Sequence, residues 1–72
     1  MQAVVYIGDT LRALRIEQAL TQEELANRAG VSTNTVARLE RKETEPHMPT
    51  VRKLAQALNV EPEELIKGGG DA

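Results

Sequence analysis

The chain has 72 residues, a formal net charge of −2, no cysteine and a single histidine. This length limits it to one small domain, and the missing cysteines exclude disulfides and thiolate metal sites. His47 has no second histidine or cysteine with which to hold zinc, so neither a metal nor another cofactor is expected.

The rest of the composition narrows the class of protein. Phe and Trp are absent and Tyr6 is the only aromatic residue, so the core must be aliphatic, which suits closely packed helices. No apolar run approaches the roughly 20 residues of a membrane span, and the lack of cysteine is compatible with a cytoplasmic protein. Catalysis is not expected, because the chain has no cysteine nucleophile and only one histidine that could act as a base.

Residues 1–7, MQAVVYI, are mostly apolar and are predicted to form an N-terminal extension or arm. The sequence leaves open whether this segment is a short strand, an arm or an extension laid on the core. Helical periodicity starts near Gly8 and continues to about Ala19. The first helix is therefore predicted between these two residues.

Two helices joined by a tight turn are predicted within the stretch LTQEELANRAGVSTNTVARLE. Thr21 and Glu24 have the spacing of a capping box, in which each side chain accepts a hydrogen bond from the backbone amide of the other. Gly30 is expected to end the second helix, because the residue past a helix end often needs a positive φ. Ser32 then provides the N-cap of a third helix that runs to about Arg41.

Two more helices are predicted in the remainder of the chain. Pro49 fits the first turn of a fourth helix, where no amide hydrogen bond is needed, and Asn59 is expected to end it. The acidic stretch EPEE then opens a short fifth helix, whose apolar residues are Leu65 and Ile66. Residues 68–72 are expected to form a flexible tail. The predicted fold class is all-α, with five helices in one domain over residues 8–67.

The outer face of the third helix indicates what this domain binds. Successive helical residues turn by about 100°, which places Val36 and Leu39 on one side and a small, polar and basic set on the other. The members of that set are Thr33, Asn34, Ala37, Arg38 and Arg41. Asparagine can bond bidentately to adenine and arginine to guanine, while threonine and alanine methyl groups can touch a thymine methyl. The face therefore suits a DNA groove, and a solvated surface is the alternative interpretation.

The preceding helix and turn favour DNA. Ala26 is small enough to let the second and third helices cross closely, Gly30 permits the turn, and Val36 locks one helix against the other. With Pro46 and LAQALNVEPEEL following, the chain resembles the lambda-repressor-like or Cro-type helix-turn-helix domains (the XRE family) over about residues 8–67. The resemblance implies a compact five-helix domain whose second and third helices, about residues 22–41, bind DNA. It also implies that the third helix lies in the major groove.

The resemblance implies roles for individual side chains. Thr33, Asn34 and Arg38 fall where the family's base-reading residues lie, with Ala37 on the same face. Arg15 and Glu40 match an Arg–Glu pair that ties the first helix to the third and is therefore structural first. The phosphate contacts that the resemblance implies are Gln22, Arg15, Arg41, Lys42 and Thr44. In relatives the glutamine corresponding to Gln22 also braces the recognition helix.

Four residues depart from the family pattern. Many relatives carry glycine where this chain has Ala19 and Lys42. A non-glycine residue in a left-handed conformation costs on the order of 1 kcal/mol, so either the chain takes another route there or it accepts the strain. Glu43 and Glu45 lie in a loop that is often basic in relatives, which predicts a weaker grip on phosphate.

These features predict a sequence-specific DNA-binding transcriptional regulator, a small dimeric repressor or controller protein. Its expected partner is a double-stranded DNA operator with two-fold symmetry, and its homodimer interface is predicted at Leu65 and Ile66. The alternative is an antitoxin, or another protein-interaction module, that keeps the fold with weak or no DNA binding. An antitoxin would have a toxin as its partner, and the net negative charge and the Glu43 and Glu45 loop favour that alternative.

Overall fold

The computed structural model describes residues 6–70, and this part of the chain folds into five helices. They are α1 (Gly8–Glu17), α2 (Gln22–Ala29), α3 (Thr33–Glu40), α4 (Met48–Leu58) and α5 (Pro62–Gly70). The predicted all-α class is therefore confirmed. No described helix combines the length and the apolar character that crossing a bilayer requires.

The starts of α2 and α3 are fixed by side-chain caps. The Thr21 hydroxyl accepts a hydrogen bond of 3.0 Å from the Glu24 amide, and the Glu24 carboxylate accepts one of 2.9 Å from the Thr21 amide. At the start of α3, the Ser32 hydroxyl accepts a hydrogen bond of 3.0 Å from the Thr35 amide. Both predicted caps are confirmed, and they satisfy amides that would otherwise have no partner in the first turn.

Four helix ends share one backbone device. A residue with positive φ follows each of α1 to α4, namely Ala19 (57°), Gly30 (73°), Lys42 (61°) and Asn59 (61°). The next residue then donates its amide to a carbonyl five positions earlier, as in a Schellman motif. These bonds run from Leu20 to Arg15, Val31 to Ala26, Glu43 to Arg38 and Val60 to Ala55, each 3.0 Å long. The chain therefore accepts left-handed strain at Ala19 and Lys42 rather than taking another route.

The core is aliphatic and draws on every helix. α2 packs against α3 and α4, while α5 packs against α1 and α4, and α1 also contacts α3. The buried apolar residues are Ile7, Leu11, Leu20, Leu25, Ala26, Ala29, Val36, Leu39, Val51, Leu54, Ala55, Leu58 and Leu65. Among the described residues, no buried side-chain nitrogen or oxygen lacks a hydrogen-bond partner.

The ends of the domain differ from the predictions in two places, at Leu65 and at the end of α5. Leu65 has no exposed surface, because the packing of α5 against α1 and α4 turns it into the core, so its predicted role in a dimer interface is wrong. Ile7 is also buried in the core, which among the alternatives that the sequence left open favours an extension laid on the core. α5 continues to Gly70, where a tail was expected. Glycine can adopt helical angles, although about 1 kcal/mol less favourably than alanine. The other parts of the predicted arm and tail, residues 1–5 and 71–72, lie outside the described residues.

Candidate nucleic-acid interface

α3 divides into a buried face and an exposed face, as predicted. Val36 and Leu39 lie in the core with at most 2% of their surface exposed. Thr33, Asn34 and Arg38 are exposed. Ala37 is half-buried on the same face. The helix therefore presents a small and polar surface that ends in a cation.

The turn between α2 and α3 sets the direction of this surface. Ala26 and Val36 are both buried where α2 packs against α3, so the small alanine allows the close crossing that the sequence indicates. Gly30 adopts a left-handed φ of 73°, and the Val31 amide then bonds to the Ala26 carbonyl. Since glycine has no Cβ, this conformation is accessible to it without steric penalty. The predicted helix-turn-helix geometry is present.

A polar cluster at Glu40 joins the first three helices. The Glu40 carboxylate accepts hydrogen bonds from Arg15 Nε at 2.6 Å and Arg15 Nη2 at 3.0 Å. It also accepts one of 3.0 Å from the Gln22 side-chain amide, while Arg15 Nη1 donates to the Leu20 carbonyl at 2.8 Å. The hydrogen bond to Glu40 raises the pKa of Arg15 above its ordinary value. With 13% and 4% of the two side chains exposed, this ion pair is largely shielded from water.

In this cluster the primary role of Arg15 and Gln22 is structural. All three guanidinium nitrogens of Arg15 are engaged within the protein, which agrees with its predicted role as a tie between α1 and α3. Gln22 braces α3 through Glu40. For both residues, contact with a DNA phosphate stays a prediction.

Carboxylates hold the cations at the end of α3. Arg41 binds the Glu43 carboxylate through Nε at 2.7 Å and Nη2 at 3.2 Å. Arg38 Nε lies 3.9 Å from the same carboxylate, and Lys42 Nζ lies 2.8 Å from Asp9 Oδ2. The hydrogen bond from Arg41 lowers the pKa of Glu43, and the same bond raises that of Arg41. Loop and helix thus meet in a set of exposed ion pairs that local sequence patterns did not indicate.

A shallow depression of about 200 Å³ lies between α3 and the loop that leads to α4. Its lining residues are Thr35, Arg38, Leu39, Thr44, Glu45, Pro46, His47 and Thr50. It brings the predicted contacts Arg38 and Thr44 together beside the start of α4, where His47 is the N-cap residue. A helix N-terminus favours anions. His47 and Thr50 also line this depression, which the sequence did not indicate, although the first-turn Pro49 marks the helix start.

Comparison with known proteins finds helix-turn-helix relatives of this chain. A family model described as helix-turn-helix matches residues 11–65. The HTH-type transcriptional repressor RghR of Bacillus subtilis is 42% identical over 64 residues, which are 88% of this chain and 47% of RghR. The chain therefore spans about half the length of this relative.

Solved structures match over almost the whole domain. The P22 c2 repressor in complex with a synthetic operator has a TM-score of 0.81 at 35% identity, covering 88% of this chain and 96% of that one. The restriction-modification controller protein C.AhdI of Aeromonas hydrophila has a TM-score of 0.80 at 39% identity, covering 85% and 92%. The matched residues include α2, the turn at Gly30 and α3, whose geometry is described above. The chain belongs to the lambda-repressor-like (XRE) helix-turn-helix family.

Proposed function

We propose that this chain is a sequence-specific DNA-binding transcriptional regulator that acts in the cytoplasm and reads the major groove with α3. The observation that carries the proposal is the division of α3, whose inner residues are locked into the core while Thr33, Asn34 and Arg38 face outward. A helix held in this way can enter a groove without rearranging its domain. The likeness to the P22 c2 repressor, solved with operator DNA, supports this function.

The phosphate contacts are proposed to flank the reading face. Arg41 and Lys42 are exposed just beyond the end of α3, and Thr44 is half-buried in the loop that follows. Contacts at these positions would fix the register of α3 on the duplex without carrying sequence information themselves. The base contacts are proposed for Thr33, Asn34, Ala37 and Arg38. Gln22 and Arg15 are proposed to contribute to phosphate binding only while they keep their bonds to Glu40.

A homodimer is the proposed active form. A domain of this size buries only about 60% of its unfolded surface, so further burial stabilises it. An apolar depression of about 280 Å³ lies between the start of α4 and α5, lined by Glu45, Pro46, Met48, Val51 and Ile66. Met48 is 49% exposed and Ile66 is half-buried at its edge. We therefore assign the interface to Ile66 and Met48, and no longer to Leu65.

A two-fold dimer makes a geometric prediction about the operator. The two copies of α3 are expected to lie about 34 Å apart, which is one turn of DNA, and the operator is expected to be palindromic with half-sites at that spacing. A repressor or a controller of this size would then respond to its own concentration, because dimerisation depends on concentration.

Selection of bound sequences from random double-stranded DNA tests this function. We expect a palindromic site to be enriched, and a gel shift to show that Asn34→Ala weakens binding to it. Asn27→Ala is the matched control, because Asn27 is also exposed but lies on α2. Absence of any enriched sequence at low salt would contradict sequence-specific binding.

A protein-interaction module is the second candidate. The ion pairs that Arg41 and Lys42 form with Glu43 and Asp9 favour it, because they reduce the cationic character of the loop. In this case an antitoxin would keep the helix-turn-helix fold and bind a toxin protein instead of, or together with, DNA. Failure to enrich DNA, combined with a stable complex with the product of an adjacent toxin gene, would support this candidate.

A further inference from the structure

The Glu43 carboxylate lies beside the guanidinium groups of Arg41 and Arg38, which the proposed function assigns to DNA contacts. Its carboxylate accepts two hydrogen bonds from Arg41, through Nε and Nη2, and lies 3.9 Å from Arg38 Nε. The Nε and Nη2 edge of a guanidinium is one of the edges that grip a phosphate bidentately. A phosphate that binds Arg41 at this edge must therefore replace the carboxylate.

The backbone places Glu43 there. Lys42 adopts a left-handed φ of 61°, and the Glu43 amide then donates to the Arg38 carbonyl at 3.0 Å. This bond brings Glu43 back over the last turn of α3 instead of letting the chain continue away from it. The position of the carboxylate is thus built into the end of the recognition helix.

Stability gives no reason for this ion pair. About half of each of the three side chains Arg38, Arg41 and Glu43 is exposed to solvent. Exposed pairs of this kind contribute little to the free energy of unfolding, because water and salt screen them. A functional role is the more economical explanation of a carboxylate that faces two cations at the proposed DNA surface.

We propose that Glu43 is an intramolecular competitor of DNA, which holds Arg41 and Arg38 in the unbound protein and must be displaced when they bind DNA. This inference rests on the proposed function, because it requires α3 and the following loop to face the duplex. Glu43 thereby limits how strongly the domain binds DNA, because in each complex the two arginines exchange its carboxylate for a phosphate or a base edge. The exchange weakens binding to all DNA, because the ion pair with Glu43 must be broken. It also lowers the salt dependence of binding, because the nearby carboxylate reduces the net positive charge that replaces counterions on the duplex.

Removal of the Glu43 charge tests whether Glu43 acts by pairing with Arg41 or only by repelling the DNA phosphates. Binding of wild type, Glu43→Gln, Arg41→Ala and the double variant is measured by fluorescence anisotropy on the selected operator and on a scrambled duplex of equal length. Salt is varied between about 50 and 200 mM, so that the weakest complexes stay measurable at the low end. We expect Glu43→Gln to bind both duplexes roughly three- to fivefold more tightly, from the loss of one nearby exposed charge. Its salt slope should be steeper by up to about one.

The decisive comparison is the gain in affinity that Glu43→Gln causes in the wild-type protein and in the Arg41→Ala variant. If Glu43 acts by holding Arg41, the gain should fall below about twofold in the Arg41→Ala background, because the residual partner Arg38 is more distant. Glu45→Gln is the matched control, since it removes the same charge from the same loop, and no ion pair joins Glu45 to either arginine among the described residues. The arginine Nε–H signal of Arg41 in nitrogen-15 NMR spectra should shift in free Glu43→Gln, which checks the pair without DNA.

Any one of four results would overturn the competitor role. They are an equal gain from Glu45→Gln, an undiminished gain in the Arg41→Ala background, unchanged binding by Glu43→Gln, and weaker binding by Glu43→Gln. If wild type binds the operator and Glu43→Gln binds it equally well, only this inference fails. If wild type binds neither duplex at any salt concentration, the proposed function fails with it.

Discussion

Gly8 lies against the carbonyl end of α3, so closely that a Cβ atom on it would collide with the Leu39 carbonyl oxygen. The same atom would lie 2.9 Å from the carbonyl oxygen of Glu40. Both obstacles are backbone atoms, which cannot rotate away as a side chain can. The start of α1 and the end of α3 are therefore joined through a contact that only glycine permits.

The first prediction concerns this contact. Gly8→Ala should lower the free energy of unfolding by about 1–3 kcal/mol, because the added methyl group forces the two helices apart. Chemical denaturation followed by circular dichroism measures the change. Ala13→Gly is the control for helix propensity, because Ala13 lies on the exposed side of α1. Its change to glycine should lower the free energy of unfolding by about 1 kcal/mol from propensity alone. Unchanged stability in Gly8→Ala would mean that α1 and α3 are not in this contact in solution.

The second prediction concerns the left-handed residues at the helix ends. Ala19→Gly should stabilise the protein by about 0.5–1 kcal/mol, because glycine adopts the observed φ of 57° without the steric cost that alanine carries. Gly30→Val should destabilise it by more than about 1 kcal/mol. Nothing lies within 4 Å to obstruct a Cβ atom at this position, so the whole loss comes from the same backbone strain. Thermal and chemical denaturation test both variants. Asn59→Gly provides the comparison, with a smaller gain, because asparagine tolerates this conformation.

These helix ends also show what the sequence could predict. The caps at Thr21 and Ser32 and the left-handed turn at Gly30 depend on residues within four positions of each other, and all of them were predicted correctly. At Ala19 and Lys42 the sequence left two routes open. The structure shows that the Schellman hydrogen bonds and the short connections outweigh the strain.

The features that local patterns missed depend on contacts between distant parts of the chain. Leu65 and Ile66 are adjacent and apolar, so only the packing of α5 against α1 and α4 decides that Leu65 is the buried one. The close approach of Gly8 to Leu39 joins residues that are far apart in the sequence. The sequence shows the acidic loop, but the pairing of Glu43 with the arginines follows from the left-handed turn that precedes it.

The third prediction separates base reading from backbone binding. Arg38→Ala should cost about 1–3 kcal/mol per half-site and relax the preference at one base position, because its guanidinium is expected to bind a base edge. Lys42→Ala should weaken binding to all sequences about equally and reduce the salt slope by roughly one. A panel of single-base operator variants, measured at several salt concentrations, distinguishes the two. Uniform weakening by Arg38→Ala, with base preference unchanged, would place α3 outside the groove.

The fourth prediction concerns acid stability. The hydrogen bonds that Glu24 makes with the Thr21 backbone, and then with its side chain, lower the pKa of the carboxyl below its ordinary value of 4.5. A lowered folded-state pKa stabilises the folded protein fully at higher pH, and this contribution is lost as the pH falls from 4.5 through the lowered value. Unfolding measured from pH 7 downward should show the loss.

Two variants isolate the capping carboxyl. Glu24→Gln can still accept the Thr21 amide bond but does not titrate, so its stability should depend less on pH in this window. Glu23→Gln removes the same charge from the same turn without removing the cap. If both variants flatten the profile equally, the effect belongs to the helix dipole and not to the capping box.

The fifth prediction tests the proposed dimer surface. Ile66→Lys should shift the protein towards monomer in sedimentation experiments and weaken operator binding, because it places a charge at the edge of the apolar depression. Ile16→Lys is the matched control, since Ile16 is 55% exposed on α1. Wild type that sediments only as monomer at high micromolar concentration, with and without operator, would rule out the dimer.

The two-sided construction of α3 makes this domain suitable for reprogramming. Its inner residues Val36 and Leu39 hold the helix in the core, whereas Thr33, Asn34 and Arg38 lie outside that core. A library randomised at these three outer positions should therefore remain folded in most of its members, limited mainly by helix propensity. New operator preferences could then be selected on an unchanged scaffold, and related regulators could diverge in the same way without passing through unfolded intermediates.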